Sequence, residues 1–418
     1  MAYVERQEGL SAYIAVTAAY WAFMFTDGAL RMLVLLHFNT LGFSPIQLAY
    51  LFLLYEFAGM VTNLSAGWIA KRFGLASTLY AGLAIQIVAL LTLTRLGAEW
   101  TVTVSVMFVM LVQGASGVAK DLAKMSSKSA VKLLAPSADG GLFRWVAVLT
   151  GSKNAVKGFG FLMGAAMLAV WGFDPALYAM AGALAGILAA VALFMPAGLP
   201  GGSKGAKFKE VFSTSRNVNI LSAARVFLFG ARDVWFVVGI PIYFYSVLSD
   251  GTPEANRAAF FTIGTFMALW IIGYGAVQAF APRILRARDK DDAQISHLAV
   301  LWVGALAVIP AVLAGLALIA DGPEVWLTWA VVIGLLIFGV VFAVNSSVHS
   351  YLILAFTRSE RVTMDVGFYY MSNAAGRLLG TLLSGLSFQV GGLPLCLGTA
   401  AVMAGLSWLA ARQLTRSP

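Results

Sequence analysis

The chain has 418 residues, 60% of them hydrophobic and 11% charged, with a mean hydropathy of +0.84. That balance excludes a soluble or disordered chain and indicates a polytopic membrane protein. The formal charge of +9 comes with no nucleic-acid-binding signature, and the single cysteine, Cys396, excludes internal disulfides, thiolate metal clusters and a dithiol redox pair.

Apolar runs fall at 11–38, 45–70, 75–96, 100–123, 141–171, 174–195, 217–247, 257–281, 294–320, 325–355, 366–390 and 394–412. A spanning helix needs about 20 mainly apolar residues. The runs are continuous rather than alternating, which excludes a strand barrel. Twelve α-helical spans are therefore predicted. Pro196-Ala-Gly-Leu-Pro-Gly-Gly-Ser-Lys-Gly-Ala-Lys-Phe-Lys-Glu210 divides them six and six, with the Gly, Pro and Lys content of a solvated linker. The expected organisation is an N-terminal six-helix bundle over 1–195, a linker over 196–216 and a C-terminal six-helix bundle over 217–418. The opening MAYVERQEGLSAYIAV lacks the pattern of a removable signal, so the first helix is expected to be retained. Loop cations such as Lys71, Arg72, Lys204, Lys207, Lys209, Arg283, Arg286, Arg288, Lys290, Arg358 and Arg361 fall on one side. Only Arg95 and Arg257 fall on the other. The positive-inside rule then expects both termini and the linker in the cytoplasm.

Charges within the spans carry the functional signal, because a charge at bilayer depth costs several kcal/mol unless it meets water, a partner or a ligand. Span one places Asp27 and Arg31 on one helical face, where they are expected to neutralise each other until substrate anion takes Arg31. Span two adds Glu56 and Asn63 and ends in Gly67-Trp-Ile-Ala-Lys71-Arg72-Phe-Gly74. This loop resembles the Gly-x-x-x-Asp-Arg-x-Gly gate motif of the major facilitator superfamily, with Lys71 in place of the acid. Span four carries Lys120, Asp121, Lys124, Lys128 and Lys132, the lysines recurring every four residues as one drifting stripe. Lys124, Lys128 and Lys132 approach a loop and are read as topology-fixing charges; Lys120 lies deeper. Span five brings Arg144, Lys153 and Lys157, and its Gly158, Gly160 and Gly164 point to close helix packing.

Span seven offers Arg225, Arg232 and Asp233. A guanidinium binds a phosphate or carboxylate in a forked geometry that lysine does not copy. Arg232 is preferred as a ligand, since Arg225 lies nearer the linker. Span ten has Asn345-Ser-Ser-Val-His349-Ser, whose histidine is read as a hydrogen-bonded packing residue, and span eleven has Asn373 and Arg377. An internal repeat aligns Phe23-Met-Phe-Thr-Asp27 with Phe229-Gly-Ala-Arg-Asp233, and Asn154-Ala-Val-Lys-Gly-Phe-Gly160 with Asn373-Ala-Ala-Gly-Arg-Leu-Leu-Gly380. Related halves of this kind point to a transporter with its site between them near the midplane. No ATP-binding phosphate loop, metalloprotease, serine-nucleophile or kinase pattern occurs, so no cofactor or metal is implied.

Four longer segments carry a more specific resemblance. They are Tyr20-Trp-Ala-Phe-Met-Phe-Thr-Asp-Gly-Ala-Leu-Arg-Met-Leu-Val-Leu-Leu-His-Phe38, Ser116-Gly-Val-Ala-Lys-Asp-Leu-Ala-Lys-Met-Ser-Ser-Lys-Ser129, Leu142-Phe-Arg-Trp-Val-Ala-Val-Leu-Thr-Gly-Ser-Lys-Asn-Ala-Val-Lys-Gly158 and Gly367-Phe-Tyr-Tyr-Met-Ser-Asn-Ala-Ala-Gly-Arg-Leu-Leu-Gly380. Together they resemble the organoarsenical efflux permeases of the ArsJ type, within the major facilitator superfamily. The resemblance implies a major facilitator fold in a bacterial inner membrane and export of 1-arseno-3-phosphoglycerate. It also implies a functional partnership with a glyceraldehyde-3-phosphate dehydrogenase, which makes that ester from arsenate, and hence arsenate resistance. The residues themselves point only to a small, multiply charged anion. Its expected contacts are Arg31, Lys120, Arg144, Lys153, Lys157, Arg232 and Arg377. Asp27, Glu56, Asp121 and Asp233 are expected either to pair those cations in the empty cavity or to couple protons. An ordinary phosphorylated metabolite is the alternative cargo.

Overall fold

The computed structural model describes the backbone of residues 2–134, 141–194, 212–285, 291–357 and 362–414. Side chains are described throughout these ranges except at 2–13, 66–67, 70–71, 75, 128–134, 141–151 and 362–364. The first six helices are α1 (Ala2–Thr40), α2 (Pro45–Phe73), α3 (Leu75–Leu93), α4 (Val102–Leu134), α5 (Gly141–Trp171) and α6 (Phe173–Phe194). Next come α7 (Arg216–Leu248), α8 (Pro253–Ile284), α9 (Asp292–Ile319) and α10 (Val325–Phe356). The final helical stretch, Val362–Ala411, breaks at Gly391 and Gly392, the latter at φ +59°, into α11 (362–390) and α12 (393–411). Glycine takes that left-handed conformation without a Cβ penalty, and Pro394 then starts the next helix.

Twelve helices thus occupy the described residues, one for each predicted span, and the chain is a multi-pass membrane protein. Two helices run past their apolar windows: α1 begins at Ala2 and α4 continues to Leu134. Hydropathy marks the part of a helix at bilayer depth, not the point where its hydrogen bonding stops. Most of the expected linker lies outside the described residues. Large apolar side chains such as Leu193, Phe194, Leu318, Ile319 and Trp329 remain exposed on the outer faces, as lipid contact requires.

Within the first six helices α1 packs on α5, α2 and α3 pack on α4, and α6 packs on α3. In the second six α11 and α12 pack on α7, and α9 packs on both α10 and α12. Repeat-related glycines make equivalent close approaches. A Cβ on Gly160 of α5 would lie 2.3 Å from the Phe25 carbonyl oxygen of α1, and one on Gly380 of α11 would lie 2.8 Å from the Gly230 carbonyl oxygen of α7. Either would force the helices apart. The two bundles meet along α5 against α8 and α2 against α11. At the end of the molecule away from the termini, the second contact is tight. A Cβ on Gly385 would sit 2.5 Å from the Pro45 carbonyl oxygen, and the Ile46 amide donates to Gln389 Oε1 at 3.2 Å.

Helix α7 contains one π-turn, Trp235–Gly239, immediately before Pro241. Proline lacks the amide that would bond the preceding turn, so the helix widens locally. Ser384 Oγ accepts hydrogen bonds from the Val238 and Gly239 amides, both at 3.1 Å. The widened turn anchors Trp235 among Trp270 and Phe338, with ring centroids 5.2 and 5.4 Å away. It also aims Phe236 at Phe161 of α5, 6.1 Å away.

Candidate functional site

Sequence spacing pairs Asp27 with Arg31, but each turns to another helix. The Asp27 carboxylate accepts from Lys157 Nζ at 2.8 Å and from the Tyr55 hydroxyl, while Arg31 Nη2 donates to Glu56 Oε1 at 2.6 Å. A buried carboxylate gains more from two interhelical donors than from one local partner. Tyr55 escaped sequence reasoning altogether, because a tyrosine at this spacing reads as packing. Its ring also lies beneath two cations, 4.1 Å from Lys120 Nζ and 5.3 Å from Arg31 Cζ.

From Glu56 a chain of alternating charge crosses between the bundles. Glu56 Oε1 accepts from Arg377 Nη2 at 2.6 Å, Arg377 Nε donates to Asp233 Oδ2 at 3.3 Å, and Asp233 Oδ1 takes Arg232 Nη2 at 2.5 Å. Both carboxylates are almost fully buried, so each depends on its guanidinium partners for charge compensation. The expected repeat acquires a physical meaning here. Asp27 on α1 pairs with Lys157 on α5, and at the equivalent level Asp233 on α7 pairs with Arg377 on α11.

On α4, Asp121 holds Lys120 at 3.9 Å and Lys124 at 3.2 Å, and it accepts from Thr62 Oγ1 at 2.8 Å. Lys124 Nζ also donates to Asn63 Oδ1 at 2.6 Å. The reading of Lys124 as a loop charge is therefore corrected: α4 continues inward-facing past the apolar window, and the four-residue repeat keeps Lys124 on the face of Lys120. The side chains of Arg144, Lys128 and Lys132 lie outside the described residues.

These groups surround one cavity of about 220 Å³ between the bundles. Arg31, Lys120, Lys153, Lys157, Arg232 and Arg377 all line it, and so do Lys124 and Arg225, which the sequence had ranked lower. Phe161 and Phe236 lie at its deepest level on α5 and α7. From there the cavity extends toward the end of the molecule that holds the termini. Among the described residues the eight basic side chains meet four carboxylates, those of Asp27, Glu56, Asp121 and Asp233, so the described lining and its partners carry four more positive than negative charges. In a space this small, lined by buried and half-buried side chains, such an excess favours a guest of opposite sign with several charges.

His349 departs from its expected role. It is fully buried, yet neither ring nitrogen has a hydrogen-bond partner among the described residues, and the same holds for both side-chain polar atoms of Asn345. Among the described residues no cluster of histidine, cysteine and acidic side chains is arranged to hold a metal. Cys396 lies away from the cavity, donating to the Val234 carbonyl oxygen at 3.2 Å.

Solved structures resemble the chain over nearly its full length. The nucleoside transporter NupG matches with a TM-score of 0.70 at 16% identity, over 97% of this chain and 99% of that one. A POT family transporter in complex with 5-aminolevulinic acid matches with a TM-score of 0.74 at 13% identity, over 96% of each chain. A bacterial homologue of the iron transporter ferroportin, in an inward-facing state, matches with a TM-score of 0.70 at 12% identity, over 98% of this chain and 99% of that one. Identities this low carry the fold alone, and that fold is the major facilitator fold of two six-helix bundles. No protein-family model matches the chain, and no curated protein matches it.

Proposed function

We propose that the chain is a secondary transporter that exports a small, multiply charged organic anion by alternating access between its two bundles. The observation that carries this reading is the cavity between the bundles, where, among the described residues, eight basic side chains outnumber the four carboxylates they meet. The contacts proposed for the anion are Arg31, Lys120, Arg144, Lys153, Lys157, Arg232 and Arg377. An arriving anion competes with Glu56 and Asp233 for Arg31, Arg232 and Arg377, of which Arg377 bridges the bundles through Glu56, so loading and release of that bridge are linked. The same carboxylates, with Asp27 and Asp121, are the groups available to hold the cations when no substrate is bound.

Resemblance to the organoarsenical permeases supplies the specific cargo, 1-arseno-3-phosphoglycerate. That molecule carries a phosphate and an arsenate ester on one short skeleton and matches a site with four excess positive charges. The proposed setting is a bacterial inner membrane, with both termini and the linker of residues 196–216 in the cytoplasm. On this reading the 1–195 and 217–418 bundles rock about the site, and a glyceraldehyde-3-phosphate dehydrogenase supplies substrate. The cavity selects by charge, and 3-phosphoglycerate keeps the same phosphate with a carboxylate in place of the arsenate ester, so it is a natural competitor.

Arsenate resistance in a sensitive bacterial host tests the proposal. Resistance is expected when the chain is expressed together with the dehydrogenase and not with either alone. Equal resistance in host cells lacking the chain would refute the arsenical cargo. Vesicle transport of 3-phosphoglycerate without the arseno ester would assign the chain to ordinary phosphorylated metabolites.

A further inference from the structure

Arg225 of α7 is distinct among the arginines that line the cavity. Arg31, Arg232 and Arg377 each hold a carboxylate, whereas Arg225 has no acidic partner among the described residues. It is nonetheless 4% exposed. Its Nη1 donates to the Ser346 carbonyl oxygen and to Ser346 Oγ, both at 3.2 Å. Its guanidinium lies between two rings, 4.0 Å from the centroid of Phe229 and 4.9 Å from that of Tyr369. The edge formed by Nε and Nη2 has no hydrogen-bond partner among the described residues, and Nε is fully enclosed. Gln278 of α8 also reaches Ser346 Oγ, at 3.5 Å, so an amide donor stands beside the same serine on the cavity wall.

A buried guanidinium whose partners among the described residues are a serine and two aromatic faces is a costly arrangement at bilayer depth. Its ring contacts fix the plane of the group and its Nη1 bonds fix its rotation, so the free edge is held ready for a planar pair of acceptors. An anion approaching Arg31, Arg232 or Arg377 must first displace Glu56 or Asp233. One approaching Arg225 meets no carboxylate to displace among the described residues, and only the packing over Nε must give way.

We infer that Arg225 is an anion-binding residue, taking two oxygens of one oxyanion group of the substrate on its Nε–Nη2 edge with Gln278 as a neighbouring donor. The inference rests on the polyanion reading above and adds to it the residue at which the anion docks first. The oxyanion can be a phosphate-type or a carboxylate group, since both present the required pair of oxygens.

The test uses the purified full-length protein and two probes, glycerol 3-phosphate for the phosphate and glycerate for the carboxylate. Dissociation constants and ligand-induced shifts in Tm are measured for the wild type, Arg225→Gln, Arg225→Lys and, as an exposed control, Arg95→Gln. Arg225→Gln is expected to weaken at least one probe about tenfold or more, Arg225→Lys to recover only part of that loss, and Arg95→Gln to bind as the wild type. The ligand-free Tm of Arg225→Gln is expected to equal or exceed that of the wild type, because the substitution removes an uncompensated buried charge. Unchanged binding of both probes by Arg225→Gln would overturn the inference and leave the polyanion reading standing. Full affinity in Arg225→Lys, or a ligand-free Tm several degrees lower in Arg225→Gln, would overturn it as well. Failure of the wild type to bind either probe would remove both the inference and the reading beneath it.

Discussion

At the scale of single residues, Glu56 is the most consequential acid, because one oxygen serves guanidiniums from both bundles, Arg31 and Arg377, each at 2.6 Å. Removing one partner of a buried pair costs about 3–5 kcal/mol. Glu56→Gln is therefore expected to lower the Tm of the purified protein by several degrees, and adding Arg31→Gln is expected to restore part of the loss. Equal Tm values for all three proteins would show that the pairing carries no stability. Arg232→Lys is expected to impair export far more than Lys204→Ala, since only the former removes a fork that bonds Asp233 through both Nε and Nη2. Equal resistance at equal expression would contradict that. The identity of the charged residues was legible from their position in apolar runs, but their pairing was not. Asp27 and Arg31 share a helical face, yet each is drawn to a neighbouring helix, and only the packing of α1 against α5 and α2 decides which one. Arg225 was ranked low for its closeness to the linker, although α7 begins at Arg216 and carries Arg225 more than two turns inward.

At the scale of helices, the glycines of α5 that permit close contact differ from glycines of α6 that face open space. Gly160 faces the Phe25 carbonyl oxygen at 2.3 Å from any added Cβ, whereas Gly182 and Gly186 on α6 have nothing within 4 Å. Overpacking costs about 1–3 kcal/mol even where the surroundings can shift. Gly160→Leu is expected to reduce the monodisperse peak in size-exclusion chromatography sharply, and Gly182→Ala to leave it unchanged. Comparable peaks for the two would argue against the close approach of α1 and α5. The number and order of the helices were readable because each apolar span is close to or above the length the bilayer requires. The π-turn before Pro241 and the continuation of α4 to Leu134 were not, since neither changes the local hydropathy that reports a span.

At the scale of the whole molecule, the contact of Pro45 and Ile46 with Gly385 and Gln389 closes the end away from the termini, and the cavity extends toward the opposite end. Alternating access requires that closed contact to part. A short reducible crosslink between Ile46→Cys and Gln389→Cys is expected to stop transport, and its reduction to restore it. Transport unaffected by the crosslink would mean that this end does not open. The native thiol does not complicate the experiment, because Cys396 is fully buried. The central claim is that the excess of positive charge between the bundles carries a multiply charged ester across the membrane. It is tested most directly by arsenic uptake into everted vesicles supplied outside with arsenate, glyceraldehyde 3-phosphate, NAD and the dehydrogenase. Vesicles containing the chain are expected to accumulate arsenic only when all four are present, and excess 3-phosphoglycerate is expected to slow the uptake. Accumulation equal to that of vesicles lacking the chain would contradict the account.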